Sequence, residues 1–405
     1  MQVTIKKGTA RGNVCVPKSK SVAHRLLINA AMCRGTSTII DLPQNEDISA
    51  TIDCLRALGA EITIDGGKCT VKGIDGMGAE ARVLCCRESG STLRFLIPIA
   101  LLDGVKTEFT GAARLFERPL DIYRNICEQS GFLWQQTKCG VTVCGKLKAG
   151  EYSLPGNVSS QFVTGLLLAL GGLEGDSKIL LTTEPESNSY IDITVNSLAE
   201  FGITVERRSS RELFIAGGQC RHTVNDLYVE GDESGAAFFG ALNTLGGDVI
   251  IQGLNPKTLQ GDRVWREMLD EIKNGTPTLS MGDCPDLAPV LMATAAACNG
   301  AVFTDTRRLR IKESDRGAAM AQELQKCGVT VDVEENVITV RGGTLHAPTS
   351  PIDSHNDHRI AMAMAVLLTK LGGEIQGAEA VRKSMPEFWD ILASLNIDIT
   401  KHHVR

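Results

Sequence analysis

The stretch LRALGAEITIDGGKCTVKG, Leu55–Gly73, decides the fold, because the chain repeats it. It reads as the end of a helix, a glycine stop at Gly59, a strand, a polar turn and a second strand. The pattern returns as CEQSGFLWQQTKCGVTVCG around Gly131, LAEFGITVERRSSRELFIAGG around Gly202 and LQKCGVTVDVEENVITVRGG around Gly328. The chain closes on LASLNIDIT, half a copy. A second segment alternates with the first: a polar turn opening a helix of small apolar residues, near Ser21, Ser91, Ser160, Ser234, Asp286 and His358. These starts lie about 70 residues apart, a period that marks an array of supersecondary units. One step, from Ser234 to Asp286, is shorter: after the helix ending LDEIKNG, the usual strand pair is cut to TPTLSMGDC.

Each of six units thus reads roughly strand–helix–strand–helix–strand–strand, an α/β arrangement with the fourth unit truncated. The helices of the second segment, such as AMAMAVLL, GLLLALGG and AAFFGALNTLGG, are apolar nearly all round and are expected inside. Helices enclosed by sheets invert the usual layer order. Three units per domain divide the chain near Tyr228–Gly231, giving a first domain at 19–228 and a second at 1–18 plus 229–405. The first 18 or so residues read as a strand compatible with either half, placed here with the second.

The composition of the 405 residues is that of an ordinary globular protein, 43% hydrophobic and 22% charged. A formal charge of −6 argues against a nucleic-acid surface but leaves room for small anions held by clustered cations. The thirteen cysteines are odd in number, lack a Cys-x-x-Cys pair and follow no signal peptide, so reduced, mostly buried thiols in a cytoplasmic protein are expected. No uncharged apolar run reaches the ~20 residues that span a membrane.

The polar chemistry gathers at the helix starts. VPKSKSVAHRLL, Val16–Leu27, places Lys18, Lys20 and Arg25 at the opening of a helix expected from Ser21 to about Cys33. A helix N-terminus already carries partial positive charge, so added cations imply an anion among them. CRESGSTLR adds Ser89, Gly90, Ser91, Thr92 and Arg94; PGNVSSQF adds Ser159, Ser160 and Gln161; SHNDHR adds Asp357, His358 and Arg359. Connecting segments bring Arg118 in LFERPL, Lys312, Glu313, Asp315 and Arg316 in RIKESDR, and Lys383 in VRKSMP. Taken singly, each is an N-cap or a solvated turn. Together they sit at equivalent points of a repeat, and that placement points to an anion site.

In this order PKSKSVAHR, ESGSTLR, FERP, VSSQF, SYIDIT, CPDLA, IKESDR, NDHR and KSMPEF resemble the motifs of the 5-enolpyruvylshikimate-3-phosphate synthase family, over essentially the whole chain. The resemblance implies a two-domain inside-out α/β barrel of six βαβαββ units with buried parallel helices, three units per domain, and an active site in the cleft between the domains. It implies transfer of the enolpyruvyl group of phosphoenolpyruvate to the 5-hydroxyl of shikimate 3-phosphate, with no metal or organic cofactor, in a monomer with no nucleic-acid or membrane partner. Carried over by position, shikimate 3-phosphate falls to Lys20, Ser21, Arg25, Ser159, Ser160, Ser187, Asp286 and Lys312. Phosphoenolpyruvate falls to Lys20, Gly90, Arg118, Gln161, Arg316, Arg359 and Lys383. The reaction needs two proton transfers. Asp286 resembles the base that takes the hydroxyl proton and Glu313 the acid that protonates the methylene carbon, with Lys20 and Lys383 neutralising charge on the phosphate.

Four positions depart from the family pattern: Lys18 where glycine is frequent, Glu88 where asparagine is common, Arg308 in place of a substrate-contacting asparagine, and the truncated fourth unit just before Asp286. Two other readings remain. The sister enzyme acting on UDP-N-acetylglucosamine typically lacks a Ser-x-x-x-Arg like Ser21 and Arg25 and carries a reactive cysteine, absent from GAARLFERPL. A non-enzymatic repeat clamp for a polymer needs basic residues spread evenly, whereas EGDES and GDCPD open units four and five with acids.

Overall fold

The computed structural model describes residues 1–402. Its contacts divide the chain into two compact units, Lys18–Glu230 and a split unit formed by Met1–Pro17 with the chain from Gly231 onward. Each has its own hydrophobic core.

Six helices lie inside these cores: α1 (Lys20–Ala31), α2 (Gly90–Ala100) and α3 (Ser160–Leu170) in the first unit, α4 (Glu233–Thr244), α5 (Ala288–Ala297) and α6 (His358–Leu371) in the split unit. They are the apolar helices of the repeat, buried on nearly every face; in α6 Lys370 alone is exposed. Within each unit the helices pack on one another: α3 against α1 and α2, and α4 against α5 and α6. A helix with no polar face gains from being enclosed on all sides, so the sheets take the outside. The fold is the inside-out α/β arrangement that the repeats imply.

Among the described residues, five of the six sheets share one plan: a parallel pair, then two antiparallel strands. In the sheet Arg82–Cys85, Thr107–Thr110, Gly140–Cys144, Leu133–Gln136, the first two run parallel and the rest antiparallel. The third strands bury alternate residues, Cys69 and Val71, Val141 and Val143, Leu213 and Ile215, Ile338 and Val340, as a period of two requires. The turn from outer helix into hairpin uses a left-handed residue each time: Gly59, Gly131, Gly202 and Gly328 have φ of 108°, 68°, 84° and 86°, and Asn396 in the closing half-copy has φ 65°. An L side chain resists this conformation and asparagine resists it least, which explains the one exception to glycine.

The N-terminal segment is two strands rather than one. Gln2–Ile5 pairs with Gly373–Gln376 and with Ile399–His402, supplying the hairpin strand that the closing half-copy lacks. Arg11–Cys15 pairs in parallel with Asp248–Gln252 to form the fourth sheet. That sheet has only two strands, and the expected shortened pair within TPTLSMGDC is corrected: Thr278–Ser280 pairs with Gly300–Thr304 and opens the fifth sheet instead. Among the described residues the fourth unit therefore has no hairpin, and Gly275 after its outer helix is extended, with φ −173°.

Loss of the hairpin leaves an edge on Asp248–Gln252, and Asn243 at the end of α4 covers part of it. Its Oδ1 accepts from Val249 N at 2.7 Å and its Nδ2 donates to Val249 O at 2.8 Å. One amide side chain thus makes the two hydrogen bonds a neighbouring strand would make, which blocks strand addition there. Asn243→Leu is expected to cost about 1–3 kcal/mol by leaving these backbone groups unpaired. Urea unfolding measures this, and a larger species at high concentration in light scattering would report the opened edge. An unchanged midpoint would show that the pair contributes nothing.

Candidate active site

In the first unit the predicted residues are organised by buried arginines. Ser19, not Ser21, caps α1, accepting from Val22 N, so Lys20 is the first helical residue and Arg25 lies more than a turn inside. Lys20 pairs with Asp47 at 2.7 Å, and Lys18 with Asp41 at 2.9 Å. Arg25 is 2% exposed, and all its partners are neutral. Its Nε donates to Thr194 Oγ1 at 2.7 Å, Nη1 to Ser21 O at 2.6 Å, and Nη2 to Thr164 Oγ1 at 3.3 Å and Tyr190 O at 3.0 Å. The guanidinium also lies over Phe95 and Tyr190. Burial pulls Arg25 down to about 10, opposed by Tyr190, and no carboxylate among the described residues forms an ion pair with it.

The other two helix starts are tied together. Gln161 accepts from Arg94 Nη1 at 2.6 Å and donates to Ser91 at 3.1 Å, joining α3 to α2. Ser159 caps α3, accepting from Gln161 N, while the Ser21 and Ser160 hydroxyls have no partner among the described residues. A Cβ on Gly90 would stand 2.7 Å from Arg118 Nη1, so glycine alone lets that guanidinium lie against the start of α2. Ser187 is buried in a left-handed conformation, φ 58°, at the head of the helix Asn188–Glu200 that carries Tyr190 and Thr194.

In the split unit the charges pair densely. Asp286 does not open α5; Leu287 holds that position, and Asp286 stands before it. Three cations converge on Asp286: Lys312 at 3.1 Å, Arg316 at 2.7 Å and Arg359 at 3.0 Å. Arg316, 1% exposed, also binds Glu313 at 2.8 Å and Asp357 at 2.9 Å. Asp357 caps α6, accepting from Arg359 N, and Lys383 donates to Asn356 O. Burial alone would raise Asp286, but Arg359, Lys312 and Arg316 together hold it well below the usual carboxylate range. Burial lowers Arg316 and is outweighed by Asp357, Glu313 and Asp286, so it stays charged. Lys312 is lowered, burial exceeding the pull of Asp286. Arg308 donates to Gly282 O in the loop before Asp286. His358 is buried, 3.9 Å from Asp357.

The chain matches the family model for EPSP synthase (3-phosphoshikimate 1-carboxyvinyltransferase) over residues 5–392. It belongs to the EPSP synthase family. A 3-phosphoshikimate 1-carboxyvinyltransferase of Clostridium kluyveri is 40% identical over 424 residues, covering 99% of each chain. One of Clostridium novyi is 40% identical over 408 residues and 93% of each. Among solved structures, an EPSP synthase of Acinetobacter baumannii superposes with a TM-score of 0.77 at 26% identity, over 99% of this chain and 100% of that one. The enolpyruvyl transferase NikO of Streptomyces tendae, 16% identical, shares the fold with a TM-score of 0.79 over 98% of each chain.

Among the described residues no helix is long and apolar enough to cross a membrane, and no three His, Cys, Asp or Glu residues group as metal ligands do. All thirteen cysteines are free, seven of them buried.

Sequence reasoning missed several members of these networks. Thr164, one turn after Ser160 on an otherwise apolar helix, was legible in part, whereas Thr194 is one of several hydroxyl residues on a polar helix and carried no signal. Asp262 in LQGDRVW carried no signal. It is 2% exposed, accepts from the Ser234 hydroxyl through Oδ2, and its Oδ1 has no partner among the described residues. Burial first, and Asp286 second, push it up to about 7 against the pull of Arg359. A raised carboxyl costs stability increasingly as pH climbs from the unfolded value near 3.8 to the folded value, because folding then opposes ionisation. Asp262→Asn, which keeps the acceptor and removes the titration, is therefore expected to raise the melting temperature more at pH 8 than at pH 5. Equal shifts at both pH values would contradict the buried, proton-holding Asp262.

Proposed function

We propose that the chain transfers the enolpyruvyl group of phosphoenolpyruvate to the 5-hydroxyl of shikimate 3-phosphate, releasing phosphate. The observation that carries this reading is the triple pairing of Asp286 with Lys312, Arg316 and Arg359, in a chain whose whole length follows the family. Each substrate carries a phosphate and a carboxylate, the groups that guanidinium forks bind best.

In this reading shikimate 3-phosphate is held by Lys20, Ser21, Arg25, Ser159, Ser160, Ser187, Asp286 and Lys312. Arg25 brings an uncompensated cation, and Ser21 and Ser160 bring uncommitted hydroxyls. Phosphoenolpyruvate is held by Lys20, Gly90, Arg118, Gln161, Arg316, Arg359 and Lys383. Substrate anions compete with Asp286 for its three cations. A carboxylate held so low is a poor base, and it regains basicity as the cations turn to the substrates. Asp286 then takes the proton of the attacking hydroxyl. An anion in the fork of Arg316 likewise releases Glu313, 2.8 Å from it, to carry the proton that goes to the methylene carbon. Lys20 and Lys383 offset charge on the departing phosphate. The reading includes no metal or cofactor, and a monomer acting in the cytoplasm.

Mixing the purified protein with shikimate 3-phosphate and phosphoenolpyruvate and following phosphate release tests the reading directly. Turnover is expected. No release, with turnover of UDP-N-acetylglucosamine instead, would overturn it. Asp286→Ala is expected to lower kcat by about 10²–10⁴, the usual reach of a general base. Near-wild-type turnover would remove Asp286 from that role.

A further inference from the structure

The turn that leads into α6 is held in an unfavourable backbone conformation. His355 and Asn356, neither of them glycine, both have positive φ, 50° and 51°. Two consecutive left-handed residues persist only where surrounding contacts impose them. Here the contacts are explicit. His355 N donates to Asp353 Oδ1 at 2.7 Å, Asn356 N to Ser354 Oγ at 3.2 Å, and Asp357 N to Ser354 O at 2.9 Å.

The remaining anchor comes from outside the turn. Glu323 is fully buried; its Oε1 lies 2.9 Å from His355 Nε2, and its Oε2 accepts from Lys326 at 2.7 Å and from Asp353 N at 2.9 Å. Glu323 sits on the helix Arg316–Lys326, whose first residue grips Asp357. One helix thus clamps the turn twice, by Arg316 at its start and by Glu323 two turns on. Beyond the clamp follow Asp357 and Arg359, and Asn356 O receives Lys383.

We propose that His355 is a positioning residue for phosphoenolpyruvate binding, tying the His355–Asn356 turn to Glu323 and so fixing Arg359 and Lys383. This rests on the assignment of Arg359 and Lys383 to that substrate. The groups facing His355 are Glu323 and Lys326 on the clamping helix and Asp353 at the end of the strand Ile352–Asp353. Glu323 and Asp353 raise it, and burial and Lys326 lower it, with a net rise above its ordinary value of 6.5. The charged pair is complete below that ordinary value and is lost as pH rises through the folded one. Above it the neutral ring still donates one hydrogen bond but without the charge assistance.

The test is the pH profile of kcat/KM for phosphoenolpyruvate in the full-length protein, with His355→Gln and His355→Ala beside wild type. His355→Gln keeps a donor and cannot titrate. It is expected to lose the alkaline limb that His355 adds to the wild-type profile, with KM at pH 6 raised about 3- to 10-fold and kcat little changed, the scale of one charge-assisted bond. An unaltered limb in His355→Gln, or an effect confined to kcat, would overturn the proposal. If His355→Ala fails to fold, an NMR titration of His355 in the wild-type protein decides with His355→Gln; an unraised pKa would equally overturn it. Lys383→Ala and Arg359→Ala separate the two levels. Unchanged KM in both removes the substrate assignment, whereas raised KM in both with wild-type behaviour in the His355 variants removes the clamp alone.

Discussion

A guanidinium withdrawn from water must have its charge answered, and this protein answers it in two ways. Arg316, 1% exposed, is surrounded by Asp286, Glu313 and Asp357. Arg25, 2% exposed, meets only hydroxyls, carbonyl oxygens and aromatic faces. The first arrangement neutralises the cation at the cost of desolvating three acids. The second leaves a net positive charge inside the fold. Proteins rarely keep such a charge without a function, because it lowers stability at every pH below the folded pKa.

The repeat architecture makes both arrangements possible. Helices without a polar face are forced inward, so their starts bring Lys20, Gly90, Ser160, Ser234 and His358, and Asp286 just ahead of its helix, to equivalent places in successive repeats. Capping side chains satisfy exposed N–H groups at five of these starts through Ser19, Ser89, Ser159, Asp232 and Asp357. The outer helices then supply partners: Asn188–Glu200 brings Thr194 to Arg25, and Arg316–Lys326 brings the arginine that binds Asp357. Charge is concentrated where backbone dipoles already favour anions.

Much of this was legible in the chain. Gly59, Gly131, Gly202 and Gly328 announced the helix stops because only a left-handed residue turns the chain there, and alternating apolar residues announced the hairpins. Pairings distant in sequence were not legible. Nothing local in Gln2–Ile5 says that it completes a hairpin with Ile399–His402, and nothing in TPTLSMGDC says that its strand belongs to the next sheet. Asn243 looked like an ordinary helix-end polar residue, since its task exists only once the hairpin is missing. At the site, motif order singled out Arg25, Asp286 and Arg316 but gave no account of their partners. Asp262 and Glu323 stand in helix-like sequence and become distinctive only when folding buries them.

The uncompensated charge on Arg25 is the part of the account that one measurement reaches most directly: the melting temperature of wild type and Arg25→Met, with and without shikimate 3-phosphate. The account predicts that Arg25→Met without ligand melts at or above the wild-type temperature, because a buried cation without an acid partner is removed. It also predicts that the ligand-induced rise, present in wild type by mass action, is lost in the variant. A variant that melts several degrees lower and keeps the full ligand-induced rise would contradict it.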